Sequence, residues 1–391
     1  MTTTGVLTGF GHGFVAFAVS ALLKPIALDL ETSRGAVSTA IGLGRLASGI
    51  ASPIVGRATD RSGARGVVVL GMVLTALGLV ALGFVQTEAT LYLAWSVLVS
   101  AGVAAGFTVA LDKLVVASIR ETRGMALAMR FSVAAVVSTL LVPFVTVLVD
   151  TVGWRNTCFI WALVILALLP IPLLTFERHT PPQPPASGIA KNSAGTVRSI
   201  LVQPALWLIA FAFMAQAAVV TGLSVHLVPL MTDNGLTATI AGTLFGGMIL
   251  LSVPVRLLAG VVADRAPISV LPIFLAILLV LEAVAIASFA LAPSFATMLV
   301  VVLALGIGAG APTLVVLLLC AHLFGEDRFA TVQGALMFMQ VPGTMVAPIV
   351  AGLVHDWTGS YQAAVAIFSI ALGAAALAIG CVRVPVLAHR T

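Results

Sequence analysis

Four basic residues stand inside otherwise apolar runs of this chain, Arg45, Lys113, Arg130 and Arg256, against two acidic ones, Asp112 and Glu282. A cation at bilayer depth costs roughly 2.5–3.5 kcal/mol on insertion scales and is kept where it faces protein, water or an anionic partner. The positive excess is unfavourable in an empty interior and becomes favourable when an anion fills it. Arg256, in LLSVPVRLLAG, lies eight residues before Asp264, and Arg45 lies fifteen before Asp60. At about 1.5 Å per helical residue, they sit about 12 and 22 Å from those ends of their spans. Both depths approach the middle of a roughly 30 Å core, where transport sites are found. The chemistry on offer is electrostatic capture of a small anion at Arg256 and Arg45.

The remaining polar groups in the apolar runs have competing readings. Asp112 and Arg130 lie nine residues on either side of position 121 in a connecting loop, so antiparallel helices bring them to equal depth. A structural ion pair is preferred there over a substrate contact. Lys113 points about 100° away from Asp112 around a helix and can snorkel towards the interface. Glu282 has three open readings: neutral and buried, paired, or a proton carrier. His12, between Gly11 and Gly13, and His226 can hydrogen-bond a substrate or titrate near neutral pH, with a satisfied packing role as the preferred alternative. Gln333 and Gln340 fall on a late span where substrate-facing side chains are expected. Cys158, Cys320 and Cys381 stand singly, which predicts buried packing rather than disulfides or metal ligation. No HExxH or GxSxG motif occurs, so neither an enzyme nor a cofactor is expected.

The elements that must position these groups follow from composition. The chain has 391 residues, is 60% hydrophobic and only 8% charged, whereas soluble domains carry about 25% charged residues. Mean hydropathy is +1.18. Apolar runs of helix-spanning length begin near Gly5, Gly35, Gly66, Leu91, Gly124, Asn156, Leu201, Thr237, Ile268, Phe295, Ala330 and Tyr361, which predicts an all-α membrane protein of twelve transmembrane helices. They are too long and too uniformly apolar for barrel strands. The first run has no charged leader or cleavage pattern and is expected to be a retained helix. Lys and Arg cluster in alternate loops, around Arg57, Arg61, Arg65, Arg120 and Arg123 for example, while Lys24, Arg34 and Arg155 stand on the opposite side. This asymmetry places both termini in the cytoplasm. It also accounts for the net charge of +5 without nucleic-acid binding.

The chain is written twice. GRATDR at residues 56–61 returns as GVVADR at 260–265, and ETRGMALA at 121–128 as EDRFATVQ at 326–333. Nearly constant offsets predict two six-helix parallel repeats, 1–175 and 201–391. The proline-rich stretch 176–200 between them reads as a cytoplasmic linker.

GRATDRSGAR, with Gly56, Asp60, Arg61, Gly63 and Arg65, resembles the loop signature of the major facilitator superfamily, and Asp264 with Arg265 resembles its degenerate second copy. The resemblance covers the whole chain and implies the major facilitator fold, with these loops gating the inner side. Within that family, LLKPIALDLETSRGAVSTAIGL and GLSVHLVPLMTDNGLTATIAGTLFGGMILLSVPVRLLAGVVADR resemble the monocarboxylate transporter and oxalate/formate antiporter branch. That branch implies an eighth-helix arginine holding a substrate carboxylate, at the place of Arg256. The chain departs from proton-coupled members in having Ser252 where they carry an acid, and no lysine in GFVAFAVSALL. It also lacks the late cation of oxalate exchangers. The expectation is a secondary active transporter of a small organic anion, a (mono)carboxylate, by alternating access. Its partner would be a proton or a counter-anion, and the protein a monomer in the cell (inner) membrane. The alternatives are a drug/proton antiporter exporting lipophilic compounds and, more remotely, a non-transporting membrane sensor.

Overall fold

The computed structural model describes residues 2–118, 123–176, 202–265, 267–324, 332 and 335–382. Within these, the side chains of Asp60, Lys113, Asp264 and Arg265, among others at helix ends, lie outside the description, as do Gln333 and nearly all of the expected linker. The described residues are helical throughout their long elements: α1 (Thr2–Asp29), α2 (Arg34–Ser62), α3 (Ala64–Gly83), α4 (Glu88–Asp112), α5 (Arg123–Val152), α6 (Trp154–Thr175), α7 (Pro204–Asp233), α8 (Ala238–Arg265), α9 (Leu271–Leu291), α10 (Phe295–Phe324), α11 (Ala335–Thr358) and α12 (Gln362–Gly380). Helices satisfy their own backbone polar groups, which is what a lipid solvent demands of each crossing segment.

Eleven of the helices are long and apolar enough to cross a membrane. The exception is α2, where Ser38, Arg45, Ser48, Ser52 and the charged loop signature dilute the apolar run. Large apolar side chains such as Leu140, Leu174, Ile370 and Leu377 stand exposed, a distribution that lipid tolerates and water does not.

Turns between helices are tight. Ser33 caps α2 by accepting from the Ala36 amide at 3.0 Å. Gly63 joins α2 to α3 with φ +83° and ψ 159°, a conformation essentially reserved for glycine; this is the structural use of the second glycine in the loop signature. Prolines 25, 143, 229, 254, 312 and 348 lie within helices, each removing one backbone donor. Of the cysteines, Cys158 and Cys320 are buried as expected, whereas Cys381 is exposed, because it falls just past the end of α12.

Two compact units are present. The first is drawn from Met1–Gln183, Gly222–Leu250 and Met345–Gly359, and so joins α1–α6 to the adjoining ends of α7 and α8 and to most of α11. Its core contains Leu22, Trp95, Phe107 and Trp161, with Phe14 stacked on Trp161 at 5.0 Å between ring centres. The second unit contains the rest of α7, α8 and α11 with α9, α10 and α12. There α9 packs on both α10 and α12, and Ser369 Oγ donates to the Ala283 carbonyl at 2.8 Å.

Candidate anion sites and the residues around them

In the first unit, α1, α2 and α4 enclose a cavity of about 130 Å³ lined by His12, Val15, Ile41, Gly44, Arg45, Ser48, Ser52, Trp95, Ser100, Val103, Ala104 and Thr108. Three stretches of wide π-helical turn, Phe14–Ala18, Tyr92–Val99 and Ala104–Val109, border it. Such turns recur at functional sites because they displace side chains from the regular helical register. Among the described residues, neither Arg45 nor His12 has a hydrogen-bonding or ionic partner, and both face this space.

The hydroxyls of the wall are already committed as donors. Ser48 Oγ donates to the Ser100 carbonyl at 2.9 Å, Ser52 to Ser48 at 2.7 Å, Ser100 to Trp95 at 2.9 Å and Thr108 to Ala104 at 2.9 Å. Their lone pairs remain as acceptors. The cavity therefore combines a guanidinium that binds anions with oxygens that accept hydrogen bonds from a ligand.

Arg256 belongs to the second unit. It is half-buried, and Nη2 donates to the Ala309 carbonyl of α10 at 3.2 Å. No carboxylate partners it among the described residues, so most of its donor capacity and all of its charge are unspent. In the same unit, Glu282 of α9 is 3% exposed and Gln216 of α7 is 5% exposed. Gln216 Nε2 donates to Glu282 Oε2 at 3.0 Å and to the Gly308 carbonyl at 2.9 Å.

His226, Arg130, Asp112 and Gln340 have protein partners. His226 is fully buried, with Nε2 2.9 Å from the Pro348 carbonyl and 3.0 Å from Ser38 Oγ. Arg130 is 0% exposed, donates to Asp112, and places Nη2 2.7 Å from Thr8 Oγ1 and 3.0 Å from the Phe107 carbonyl. Gln340 sits at a turn within α11, its Nε2 3.0 Å from Met337 Sδ. In the loop signature Arg61 is exposed and Arg65 half-exposed, while the side chains of Asp60, Asp264 and Arg265 lie outside the described residues.

One cluster was not anticipated. Asp233, at the end of α7, receives Lys24 Nζ at 2.8 Å and both terminal nitrogens of Arg34, with His355 Nε2 at 3.5 Å. Asp356 accepts from the backbone amides of Arg34 at 3.0 Å and Gly35 at 2.7 Å. The cluster ties α7 and α11 to the α1–α2 corner within the first unit. A sequence signal did exist: Asp233 and Asp356 are acids at helix ends that otherwise bear the sparse cations Lys24 and Arg34.

The model of the Major Facilitator Superfamily matches residues 5–340 and 225–390. Monocarboxylate transporter 11 of Mus musculus is 26% identical over 373 residues, covering 91% of this chain and 80% of that protein. Monocarboxylate transporter 13 of Rattus norvegicus is 25% identical over 367 residues, covering 92% and 80%. Among solved structures, the nucleoside transporter NupG aligns with a TM-score of 0.77 at 13% identity, over 97% of this chain and 98% of its own. A bacterial homologue of the human lysosomal transporter Spinster, inward-facing and occupied, aligns with a TM-score of 0.71 at 15% identity, over 97% and 93%. At such identities these two structures speak for the fold alone.

Proposed function

Because the chain belongs to the major facilitator superfamily, and is thus a multi-pass membrane transporter rather than an enzyme, we propose that it moves a small organic anion of the monocarboxylate class by alternating access, with Arg256 holding the carboxylate. The observation that carries this reading is that Arg256 and Arg45 both lie within long helices without an acidic partner among the described residues. An unneutralised guanidinium in such a setting is stabilised by an arriving anion. The names of the curated relatives, monocarboxylate transporters, point to the same substrate class.

Arg45 and His12 supply a second polar site. The committed hydroxyls of Ser48, Ser52, Ser100 and Thr108 suit a ligand group that carries its own donor hydrogen, so the favoured substrate is a carboxylate more polar than a plain short-chain acid. The halves 1–175 and 201–391 are joined by the cytoplasmic linker 176–200 and move against each other in the alternating-access cycle. The loops holding Asp60 and Asp264 gate the inner side. The protein works as a monomer in the cell membrane, with both termini cytoplasmic.

A thermal-shift screen of purified protein in detergent tests this, using mono- and dicarboxylates, hydroxy acids and lipophilic cations, repeated on Arg256→Ala and Arg45→Ala. A ligand at 100 times its dissociation constant stabilises by about 2.7 kcal/mol. The expected result is stabilisation by a carboxylate, abolished in Arg256→Ala and weakened in Arg45→Ala. Stabilisation by lipophilic cations alone would replace this reading with drug export.

A further inference from the structure

Glu282 is the buried acid that binding at Arg256 leaves unused. Its carboxyl is packed against α10 at Gly308, where a Cβ would meet the carboxyl carbon at 2.6 Å and Gln216 Nε2 at 2.7 Å, so the missing side chain leaves the room in which the headgroup sits. Gln216 satisfies Oε2. Oε1 is buried with no hydrogen-bond partner, and so is Gln216 Oε1. An ionised carboxylate is poorly served by one amide donor and no cation in an apolar layer. A neutral acid avoids placing an uncompensated negative charge on the unpartnered Oε1.

Among the described residues, no cation is paired with this carboxyl. α12 contains no ionisable residue, and α10 contains only Cys320 and His322, twelve and fourteen residues beyond Gly308, about 18 and 21 Å along the helix. On α7, His226 and Asp233 lie ten and seventeen residues beyond Gln216, about 15 and 25 Å along it. Arg256 of α8 is different. It holds the carbonyl of Ala309, the residue after the Gly308 whose carbonyl holds Gln216. Through neighbouring carbonyls of α10, the acid and the free guanidinium therefore share one layer of the second unit.

We infer that Glu282 is a proton-binding site coupled to the anion site at Arg256, so that one proton travels with one anion. This rests on the carboxylate reading above. When Glu282 takes up a proton from water, the carboxylate becomes a neutral acid and leaves the positive charge of Arg256 to the incoming anion. When the proton returns to water on the other side, the carboxylate formed competes with the bound anion for that charge and favours its release. The position differs from that of the acid which proton-coupled relatives carry in the eighth helix, where this chain has Ser252.

Purified full-length protein tests this in two ways, each compared with Glu282→Gln, which has the shape and neutrality of the protonated acid. In infrared spectra at neutral pH, the wild type should show a protonated-carboxylic-acid carbonyl band that Glu282→Gln lacks; identical spectra would overturn the inference. In proteoliposomes, an inward proton gradient should drive accumulation of the stabilising carboxylate by the wild type. Glu282→Gln should keep carboxylate exchange without a gradient and lose gradient-driven accumulation, whereas accumulation equal to wild type would overturn the coupling. If the wild type neither binds nor exchanges any carboxylate, the carboxylate reading itself falls and the coupling falls with it, whatever the infrared band shows.

Discussion

Arg130 shows what a membrane-buried guanidinium costs when its partner is removed. It is 0% exposed, and its charge is offset by Asp112 while Thr8 and the Phe107 carbonyl take further protons. Asp112→Asn would keep the shape and lose the neutralising charge, leaving an uncompensated buried cation. Breaking a fully buried pair costs about 3–5 kcal/mol, while replacing both members by apolar residues is close to neutral; Asp112, 39% exposed, brings the loss here below that range. Thermal unfolding in detergent should therefore show a clear drop for Asp112→Asn and recovery in Asp112→Leu with Arg130→Met. A double variant as unstable as the single one would argue against charge as the cause. This pairing could be counted from the sequence, because depth in a helical hairpin follows directly from distance to the turn. The partners of His226 could not: Ser38 and Pro348 lie 188 and 122 residues away, and only the packing of three helices brings them together. Arg45 and Arg256 stood out as charges in apolar runs, yet which groups each of them meets depends on helix rotations that no single sequence specifies.

At the scale of elements, the corner between α1 and α2 is held to the ends of α7 and α11 by charges rather than by apolar contact alone. Asp233 serves Lys24 and Arg34 together, at partial exposure. Asn at this position would remove the charge and leave two neighbouring cations to repel each other. Exposed pairs contribute about 0.2–1 kcal/mol each, so losing two shifts the opening equilibrium of this corner about 2- to 30-fold. Ser38, 0% exposed beside His226, provides the reporter. A Ser38→Cys protein should react with a water-soluble maleimide faster by that factor when Asp233→Asn is added, and high salt, which screens the ion pairs, should speed the reaction when Asp233 is present. An unchanged labelling rate would mean that Asp233 does not latch the corner. The helices themselves were readable from hydropathy, since a span of about 20 apolar residues has no other stable form in lipid. The π-helical turns around the Arg45 cavity were not, because they are one-residue changes of register that composition does not mark.

For the whole molecule, the question is one of parity. Eleven of the described helices qualify as membrane spans on apolarity alone, and an odd number of crossings in the whole chain would put the two termini on opposite sides. α2 decides the matter. Its 29 residues span about 43 Å as a helix, well beyond a roughly 30 Å core. Several of the polar residues that dilute it, Arg45, Ser48 and Ser52, face the cavity shared with α1 and α4 rather than lipid. A polar stripe turned inward does not prevent a helix from crossing; it is what a helix lining a solute path requires. In the proposed twelve-helix arrangement α2 crosses too, the number of crossings is even, and both termini lie on one side, the side that the distribution of Lys and Arg assigns to the cytoplasm. Reporter fusions at each end test this, with one reporter active only in the cytoplasm and another active only outside it. Cytoplasmic activity from both ends is expected. Opposite readings from the two ends would leave α2 as a helix that enters the protein without crossing, and would remove Arg45 from any path that opens to both sides.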